Sequence, residues 1–405
     1  GPMVDKIEGL DALREATKGY TPQFVENVTG LSQDLLREAA DYLAQSKRPA
    51  FIWSPPLGQQ LHGVDQIKSL ANLALLCGAV ADGGGGFHLV GPQSNMVGVV
   101  EMGATPSLLP GYRPADGKGL SAVEMFQAAS EGRLKALFVM GENPLITLPK
   151  SLVQEGLKGL EVLVVQDMFL SETGDEAHVF LPVLSFAEVD GTYTNCEGRV
   201  QRLRKGLEPL EGLRWEGDIL SDLASFMGKD MKVEVPAGVF EEIKGINPLY
   251  KGADFEALGT QLRGDGKGDL LKNAAFRPVE HKQEKAEEGY PFLLSMEGLF
   301  YNHLIGSGSQ KRAQGLAKAS PRPCLEMNAE DARGMGIGNG DQVKVTTPWG
   351  EVEIEARGSE AMKRGVLSLY LSCYDVDASQ LVSPKLDPLS LVPNYGEIPA
   401  KVEKV

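Results

Sequence analysis

Two short polar segments follow apolar, strand-like runs in the middle of the chain. Gly141–Pro144 comes directly after the run KALFVM at 135–140, and Gln166-Asp167 ends the run EVLVVQD at 161–167. Glycine lets a ligand approach the backbone closely, and proline pre-sets the first turn of a helix whose free N–H groups would face that ligand. A carboxylate at a strand end can accept hydrogen bonds from ribose hydroxyls or from guanine N–H groups. The segments predict a diphosphate or nucleoside site, and an ordinary strand-to-helix turn is the alternative for Gly141–Pro144.

A third polar segment, Thr192–Gln201, reads TYTNCEGRVQ and follows the apolar run HVFLPV at 178–183. Polar groups near a core need hydrogen-bonding partners, which are either one another or a ligand. The residue types alone leave both possibilities open for this segment.

Composition and motifs exclude several other kinds of chemistry. The net charge of −15, from 40 basic and 55 acidic residues, disfavours nucleic acid and anionic lipid as partners. No apolar run approaches the roughly 20 residues of a membrane-spanning helix. No Walker, Ser–His–Asp, G-x-G-x-x-G or H-E-x-x-H pattern is present. The four cysteines lack the spacing of an iron–sulfur or zinc site, and they are Cys77, Cys196, Cys324 and Cys373. We assign no catalytic residue and no metal ligand to this chain.

The periodicity of the sequence predicts the elements that position these segments. Helical spacing at 31–46, 64–80 and 121–131 alternates with apolar strands, and strands that are apolar throughout predict a parallel sheet covered by helices. Ligands bind at the carboxyl ends of such strands. From Tyr290 the period changes to two, with short strands broken by glycine and proline, which predicts a closed β-barrel.

The length of 405 residues exceeds what one hydrophobic core usually organises, so more than one domain is expected. We predict an α/β domain at 4–227, an irregular connector at 228–289 and a β-barrel domain at 290–405. The connector is rich in Gly, Lys, Glu and Asp. Gly1-Pro2 before Met3 is typical of a protease-cleavage remnant and is left out of the fold prediction.

The polar segments resemble the cofactor-binding half of the molybdopterin oxidoreductases, which include formate dehydrogenases and the large iron–sulfur subunit of NADH:quinone oxidoreductase. The run TNCEGRVQ at 194–201 is similar to the family pattern that lies along the pterin dinucleotide. The run GPQSNMVG at 91–98 is similar to the family's Arg-Gly-Gln-Asn-Asn loop beside the metal, and the runs MEGLFYNH at 296–303 and PCLEMNAEDA at 323–332 match the family's last domain.

The resemblance implies a parallel-sheet, Rossmann-like α/β domain followed by a six-stranded double-psi-type β-barrel domain. It begins near Val28, runs to the end of the chain and matches 228–289 poorly. It implies these cofactor-binding residues: Gln93, Asn95, Gly141, Glu142, Asn143, Pro144, Gln166, Asp167, Thr192, Asn195, Glu197, Gly198, Arg199, Gln201, Asn302, His303, Asn394 and Tyr395.

Two neighbouring positions depart from the family pattern. Gly91 stands where formate dehydrogenases carry the arginine that holds the substrate anion, and Pro92 replaces the glycine that follows it. A compact anion loses its bidentate partner, which argues against formate turnover at this site.

Three functions are consistent with these observations. The first is the C-terminal scaffold of the large iron–sulfur subunit of an NADH:quinone oxidoreductase, favoured by the lost arginine and the missing cluster cysteines. The second is a fragment of a molybdenum or tungsten formate dehydrogenase-like catalytic subunit whose metal ligand lies elsewhere. The third is a guanosine-dinucleotide-binding module without a redox role. In each case we expect no chemistry from this chain alone.

The cofactor and partner expectations follow from the same resemblance. The family binds molybdopterin guanine dinucleotide, which we expect to be absent here, and we expect no iron–sulfur cluster on this chain. The expected partners are other subunits of an oxidoreductase complex, including a cluster-bearing domain or chain, with no nucleic acid and no direct membrane insertion. We expect a cytoplasmic protein that reaches the membrane only through partner subunits.

Overall fold

A computed structural model describes residues 7–81, 84–91, 93–117, 119–233, 235–259, 261–262, 274–282, 287–297, 323–370, 372–373 and 376–405. Its helices, in chain order, are α1 Leu10–Thr17, α2 Pro22–Thr29, α3 Gln33–Gln45, α4 Gly63–Leu76, α5 Met96–Glu101, α6 Ala122–Ser130, α7 Pro144–Thr147, α8 Lys150–Lys158, α9 Glu172–Asp175, α10 Glu216–Phe226, α11 Pro236–Ile246 and α12 Ala329–Gly334, with 3-10 turns at Pro55–Leu57, Pro248–Tyr250 and Ala378–Leu381. Within the described residues, none of these helices combines the length and the apolar character that crossing a membrane requires.

The strands of the first half are β1 Phe51–Trp53, β2 Phe87–Leu89, β3 Leu108–Leu109, β4 Arg113–Pro114, β5 Ala136–Met140, β6 Val162–Asp167, β7 Val179–Pro182, β8 Gly191–Thr194, β9 Arg199–Leu203 and β10 Gln261–Leu262. The strands of the second half are β11 Phe292–Glu297, β12 Leu325–Asn328, β13 Gln342–Thr347, β14 Gly350–Ser359, β15 Val366–Tyr370, β16 Ser372–Cys373, β17 Val376–Asp377, β18 Ser383–Leu386, β19 Pro393–Asn394 and β20 Ile398–Lys404.

The parallel strands of the first half form two small sheets. One has the order β5-β6-β7, and the other consists of β1 and β2. The sequence predicts parallel strands correctly but indicates a single sheet, because periodicity does not reveal which strands share hydrogen bonds. Burial is greatest in the central strand β6, where Leu163 and Val165 on one face are buried and Val164 on the other face is half-buried. Val162 and Val179, by contrast, remain exposed.

The core of the three-stranded sheet is built with α6 and α8. A cluster around Leu163 and Val165 includes Val139 and Ala129, so apolar residues from β5 and β6 pack on a small residue of α6. Helix α6 begins in a capping box, in which the Ser121 hydroxyl accepts from the Glu124 N–H and the Glu124 carboxylate accepts from the Ser121 N–H. Strands β5 and β6 pair in parallel with Met140 opposite Gln166, so their carboxyl ends lie side by side.

The segment predicted to be an irregular connector packs on the first half of the chain. Its helix α11 and the turn after it contribute Phe240, Tyr250 and Phe255 to a core that includes Val200 of β9. Farther along, the Asn72 carboxamide donates to the Arg277 carbonyl at 2.8 Å and accepts from the Arg277 N–H at 2.9 Å. The connector is therefore tied to the α/β half by a buried side chain, which local composition does not reveal.

The second half forms a closed six-stranded barrel with the order β11-β15-β12-β14-β13-β20. Strand β15 is parallel to β11, and β12 is parallel to β14, while the remaining neighbours are antiparallel. Alternate residues point inward, as Val343 and Val345 of β13 and Leu367 and Leu369 of β15 illustrate, since all four are fully buried. The predicted fold class, an α/β domain followed by a six-stranded barrel, is confirmed.

Candidate cofactor-binding site

Strands β5 and β6 end side by side and form an edge that we call the carboxyl rim, which comprises Gly141–Pro144, Gln166 and Asp167. Gly141 follows β5 with a positive φ of 61°, and its N–H donates to the Gln166 carbonyl at 2.8 Å. A Cβ atom at Gly141 would meet no other atom within 4 Å, so the space in front of this residue is open. Glycine is favoured here because its backbone adopts a conformation that L side chains rarely tolerate.

Asn143 links the rim to helix α9 through hydrogen bonds of its carboxamide. Its carboxamide oxygen accepts from the Thr173 N–H at 3.1 Å and from the Thr173 hydroxyl at 2.7 Å, and its carboxamide nitrogen donates to Glu172 at 2.6 Å. The Leu145 N–H donates to the Thr173 hydroxyl oxygen at 3.2 Å. The free N–H group predicted at this position of α7 is therefore already paired, and Asn143 acts mainly by joining the rim to α9.

Gln166 is the least satisfied polar group of the rim. It is the next-to-last residue of β6, between Met140 of β5 and Leu181 of β7, and is only 1% exposed. Both its carboxamide oxygen and its carboxamide nitrogen are buried without a hydrogen-bonding partner in the part of the chain that the structure describes. An unpaired buried group of this kind costs about 1–3 kcal/mol. A ligand with a donor and an acceptor would satisfy it.

Asp167 occupies the last position of β6. One of its carboxylate oxygens accepts from the Met168 N–H at 2.6 Å and from the Phe169 N–H at 3.4 Å. Burial raises the pKa of Asp167 above its ordinary value, and the two backbone hydrogen bonds only partly oppose this effect. The half-buried carboxyl group therefore holds its proton more readily than an exposed aspartate does.

The polar segment at 192–201 forms a hairpin of β8 and β9. Residues Thr192 and Tyr193 lie opposite Arg202 and Gln201, respectively. In the turn, the Asn195 carboxamide oxygen accepts from the N–H groups of Glu197 and Arg199 at 3.0 Å each. Gly198 completes the turn with a φ of 78°.

Several polar groups of this hairpin turn pair with one another. The Arg199 guanidinium donates to Glu197 at 2.8 Å, in addition to the backbone hydrogen bonds made by Asn195. The alternative offered by the sequence, that these polar residues are one another's partners, therefore accounts for part of the segment.

The structure joins the predicted loop at 91–98 to this hairpin through Asn95. The Asn95 carboxamide oxygen accepts from the Thr194 N–H at 2.8 Å, and Asn95 stands just before α5. The Thr194 hydroxyl lies 2.7 Å from the Tyr250 hydroxyl, which donates to the buried Glu101 carboxylate at 2.8 Å. Two segments that the sequence predicts to line one cofactor thus belong to one hydrogen-bonded network.

Glu101 and Tyr250 are the residues that sequence reasoning missed. Glu101 is fully buried at the end of α5, and its carbonyl accepts from the Gly111 N–H at 2.8 Å and from the Asn247 carboxamide at 3.2 Å. Glu101 follows the predicted loop at 91–98, but the local spacing of residues gives no sign of its contact with Tyr250, which is 149 positions away.

The barrel contributes Asn394 and Tyr395. The Asn394 carboxamide oxygen accepts from the N–H groups of Gly396 and Glu397 at 3.2 Å, so this side chain shapes its own turn. The Tyr395 hydroxyl donates to the Thr147 carbonyl of α7 at 2.7 Å. Burial, together with the nearby charge of Glu142, raises the pKa of Tyr395 far above its ordinary value, so the phenol remains a donor. The predicted residues Asn302 and His303 lie outside the described residues.

The donor set of the rim is suited to hydrogen bonding. Among the residues that the structure describes, no group of three or more His, Cys, Asp or Glu side chains is arranged to hold a metal ion. The polar side chains of the rim are carboxamides and carboxylates with hydrogen-bonding capacity, and the unpaired Gln166 fits a nucleotide base or ribose better than a metal.

Comparisons with known proteins match this arrangement. A family model described as molybdopterin oxidoreductase matches residues 21–226, and one described as the molydopterin dinucleotide binding domain matches residues 301–399. Acetylene hydratase from Pelobacter acetylenicus superposes with a TM-score of 0.75 at 18% identity, covering 100% of this chain and 67% of that protein, which supports the fold.

Curated relatives include formate dehydrogenase subunits. The F420-dependent formate dehydrogenase subunit alpha of Methanocaldococcus jannaschii is 30% identical over 99% of this chain, and formate dehydrogenase H of Escherichia coli is 28% identical over 100% of it. The chain spans 65% and 62% of the length of these two relatives. With both family models matching in order along the fold described above, this chain belongs to the molybdopterin oxidoreductase family.

Proposed function

We propose that this chain is the nucleotide-holding part of a formate dehydrogenase-like catalytic subunit, and that the carboxyl rim binds the guanosine end of molybdopterin guanine dinucleotide. The observation that carries this proposal is the buried Gln166, whose carboxamide has both its donor and its acceptor unpaired within the described residues. The similarity to formate dehydrogenase alpha subunits supports the proposed class of protein. The NADH:quinone oxidoreductase role favoured by the sequence is not confirmed by these comparisons.

The chemistry of the rim fits such a ligand. A guanine edge presents N–H donors beside a carbonyl acceptor, which are complementary to the oxygen and the nitrogen of a carboxamide. Asp167 supplies an acceptor for a ribose hydroxyl or a base N–H, and the open space at Gly141 admits a phosphate or sugar close to the backbone. When bound, the cofactor supplies the redox chemistry, and this chain supplies binding and orientation.

Gln166 is covered in this structure, since it is only 1% exposed. Binding therefore requires the atoms over its side chain to move. Pairing the carboxamide with the ligand removes the cost of the unpaired groups, and that relief contributes to the binding free energy.

Formate itself is not part of this proposal. Gly91 offers no guanidinium for a substrate anion, so we propose that the substrate of the complete enzyme is held by other groups. A kinetic comparison of formate with other small substrates, carried out on the full-length protein with a dye as electron acceptor, tests this point. Efficient formate oxidation by that protein would contradict it.

Isothermal calorimetry of the 405-residue chain with guanosine diphosphate tests the nucleotide site. We expect binding of guanosine diphosphate and weaker binding of adenosine diphosphate. Gln166→Met should lower the affinity for guanosine diphosphate roughly tenfold, because one hydrogen bond contributes up to about 1.5 kcal/mol and about 1.4 kcal/mol corresponds to a factor of ten in affinity. Gln342→Met is the matched control, because Gln342 is exposed on the barrel strand β13.

The calorimetry either supports or contradicts the proposed guanosine site at Gln166. Selective binding that Gln166→Met weakens and Gln342→Met leaves unchanged would support the proposal. Equal affinity for the two nucleotides, or equal effects of the two variants, would contradict it, as would the absence of measurable heat with guanosine diphosphate.

A second candidate is the scaffold of an NADH:quinone oxidoreductase large subunit, which is favoured by Gly91 in place of the anion-binding arginine. Metal and pterin analysis of the natural full-length protein separates the two candidates. Stoichiometric molybdenum or tungsten with an oxidised fluorescent pterin would exclude the scaffold. A protein without either, but with an intact nucleotide affinity, would instead indicate a dinucleotide-binding module.

We also propose partner subunits for the complete protein, including a domain or chain that carries an iron–sulfur cluster. The relative from Methanocaldococcus jannaschii is a subunit by its own description, which supports partners in general. We propose a cytoplasmic location with peripheral membrane attachment through those partners. Copurification of the tagged full-length protein from its native cells, followed by iron analysis of the complex, tests both points.

A further inference from the structure

The short helix α7 follows the rim loop Gly141–Asn143 directly, so its position determines the position of that loop. It has only four residues and makes few internal hydrogen bonds: the Asn143 carbonyl accepts from Ile146 and Thr147, and the Pro144 carbonyl accepts from Leu148. A helix this short leaves carbonyl groups at its end that need partners from elsewhere.

The barrel half supplies those partners. The Tyr395 hydroxyl donates to the Thr147 carbonyl at 2.7 Å, and the Ser379 hydroxyl lies 3.1 Å from the Leu145 carbonyl. The Ser379 hydroxyl also contacts Asp377, whose other carboxylate oxygen pairs with Lys150 at the start of α8. Because a hydroxyl has one proton, Ser379 shares it between two acceptors, and Tyr395 provides the stronger contact with α7.

Tyr395 is itself held from both sides. Its carbonyl accepts from the Met296 N–H of β11 at 2.7 Å, and its N–H donates to the Gln59 carbonyl at 2.9 Å. A Cβ atom on the adjacent Gly396 would lie 2.5 Å from the Gln60 side chain, so the backbone here packs directly on the 55–62 loop. Tyr395 therefore joins the barrel, that loop and α7 at one point, and its side chain is 7% exposed.

We infer that Tyr395, assisted by Ser379, is a positioning residue for the carboxyl rim: the barrel sets the conformation of the Gly141–Asn143 loop by binding the carbonyl end of α7. The rim is then a property of the docked pair of domains, since its loop is braced by α9 at one end of α7 and by the barrel at the other. The role of the Tyr395–Thr147 hydrogen bond in ligand binding rests on the nucleotide site proposed above, but the hydrogen bond itself does not.

Hydrogen–deuterium exchange of the 405-residue chain tests, without any ligand, whether the Tyr395–Thr147 hydrogen bond holds α7 in place. In Tyr395→Phe we expect the backbone amides of residues 145–148 to exchange roughly tenfold faster, as the loss of one buried hydrogen bond predicts. The amides of the barrel strand β13 should keep their rates. Tyr42→Phe is the matched control, because the Tyr42 hydroxyl donates to Glu38 on an exposed part of α3. Ser379→Ala should give the same local pattern with a smaller change.

Two exchange results would overturn the inference. Unchanged exchange at 145–148 in Tyr395→Phe would show that the hydroxyl does not hold α7. Equally faster exchange in β13 and at 145–148 would show that Tyr395 stabilises the whole barrel rather than positioning the rim.

Calorimetry of the same variants with guanosine diphosphate then tests the consequence for binding. We expect weaker binding in Tyr395→Phe and unchanged binding in Tyr42→Phe, and unchanged binding in both would overturn the positioning role. If the unmodified chain binds no guanosine diphosphate, the proposed nucleotide site fails, while the exchange result still decides whether the barrel holds α7.

Discussion

Buried polar side chains are hydrogen-bonded in the barrel, whereas Gln166 of the carboxyl rim has no hydrogen-bonding partner within the described residues. In the barrel, the Thr347 hydroxyl donates to the Leu381 carbonyl, and the Asp387 carboxylate accepts from the N–H groups of Leu389 and Ser390. The buried side-chain atoms that lack partners within the described residues all lie in the α/β half, on Trp53, Gln166 and Arg202. Buried polar groups without a partner are rare in native proteins and need an explanation, and a ligand is the explanation that we propose for Gln166.

The same contrast extends to two aspartates. In the barrel, the Asp341 carboxylate accepts from Lys404 at 2.5 Å and from the Gly338 N–H at 2.7 Å, and these contacts hold the pKa of Asp341 below its ordinary value. At the rim, burial raises the pKa of Asp167. The barrel thus stabilises the charge of its aspartate, while the rim disfavours it. Substitutions in the two regions test whether this difference is real.

Opening the barrel core should have the largest effect on stability. Leu367 is fully buried on β15, between β11 and β12, so Leu367→Ala removes packed methyl groups and leaves a cavity. We expect the free energy of unfolding to fall by about 2–5 kcal/mol, measured by chemical denaturation. Leu389→Ala is the control, since Leu389 is 62% exposed and its loss should matter little. Equal effects of the two substitutions would argue against a tightly packed barrel.

Removing the hydroxyl of Tyr250 should have the next largest effect. Tyr250→Phe removes the hydroxyl that joins two buried residues, Glu101 and Thr194. We expect this substitution to lower the free energy of unfolding by about 1–3 kcal/mol. Tyr112→Phe is the matched control, because Tyr112 donates to the same carboxylate at the longer distance of 3.4 Å and is half-exposed. If Tyr112→Phe costs as much as Tyr250→Phe, the network does not depend on Tyr250.

Replacing Gln166 should change stability in the opposite direction. Gln166→Met keeps the size of the side chain and removes both unpaired groups, so we expect the ligand-free chain to gain about 1 kcal/mol in the free energy of unfolding. The exposed Gln342 provides the control, for which the same substitution should have no effect beyond about 0.5 kcal/mol. A destabilised Gln166→Met would show that the carboxamide already contributes to the ligand-free fold.

The smallest expected effects concern the pH dependence of stability. Because the folded pKa of Asp167 is raised above 3.8, the stability that this group contributes is present below that value and is lost as the pH rises through the folded pKa. For Asp341, whose folded pKa is lowered, the contribution is present above 3.8 and is lost as the pH falls through the folded pKa.

Denaturation of Asp167→Asn and Asp341→Asn across the acidic range measures these contributions. Relative to the unmodified chain, Asp167→Asn should gain stability as the pH rises, and Asp341→Asn should lose it. Parallel trends in the two variants would contradict the proposed difference between the rim and the barrel.

Much of the fold was predictable because its signals are local. The run VLVVQD predicts a strand that ends at Asp167, and the structure has β6 at Val162–Asp167. Helix α6 begins at the capping box of Ser121 and Glu124, close to the start predicted from periodicity. The change to a period of two at Tyr290 predicts the barrel, which the structure confirms. Each of these signals extends over only a few neighbouring residues.

The candidate site was predictable only in part. The sequence placed Gly141 and Asp167 at adjacent strand ends, because parallel strands meet at one edge. It did not reveal that the Asn143 carboxamide is hydrogen-bonded to Thr173, or that the Gln166 carboxamide is unpaired within the described part of the chain. Both facts depend on which side chains meet in three dimensions, and residue type alone does not decide that.

The amino-acid sequence by itself determined the alternation of strands and helices in the first half, the barrel in the second half and the family, because periodicity, capping and short motifs lie in contiguous residues. Only the tertiary structure decided how the parts hold one another. Tyr395 reaches Thr147 across 248 positions, and Tyr250 reaches Glu101 across 149. Such contacts form only when the chain has folded, since they depend on packing that brings distant segments within hydrogen-bonding distance.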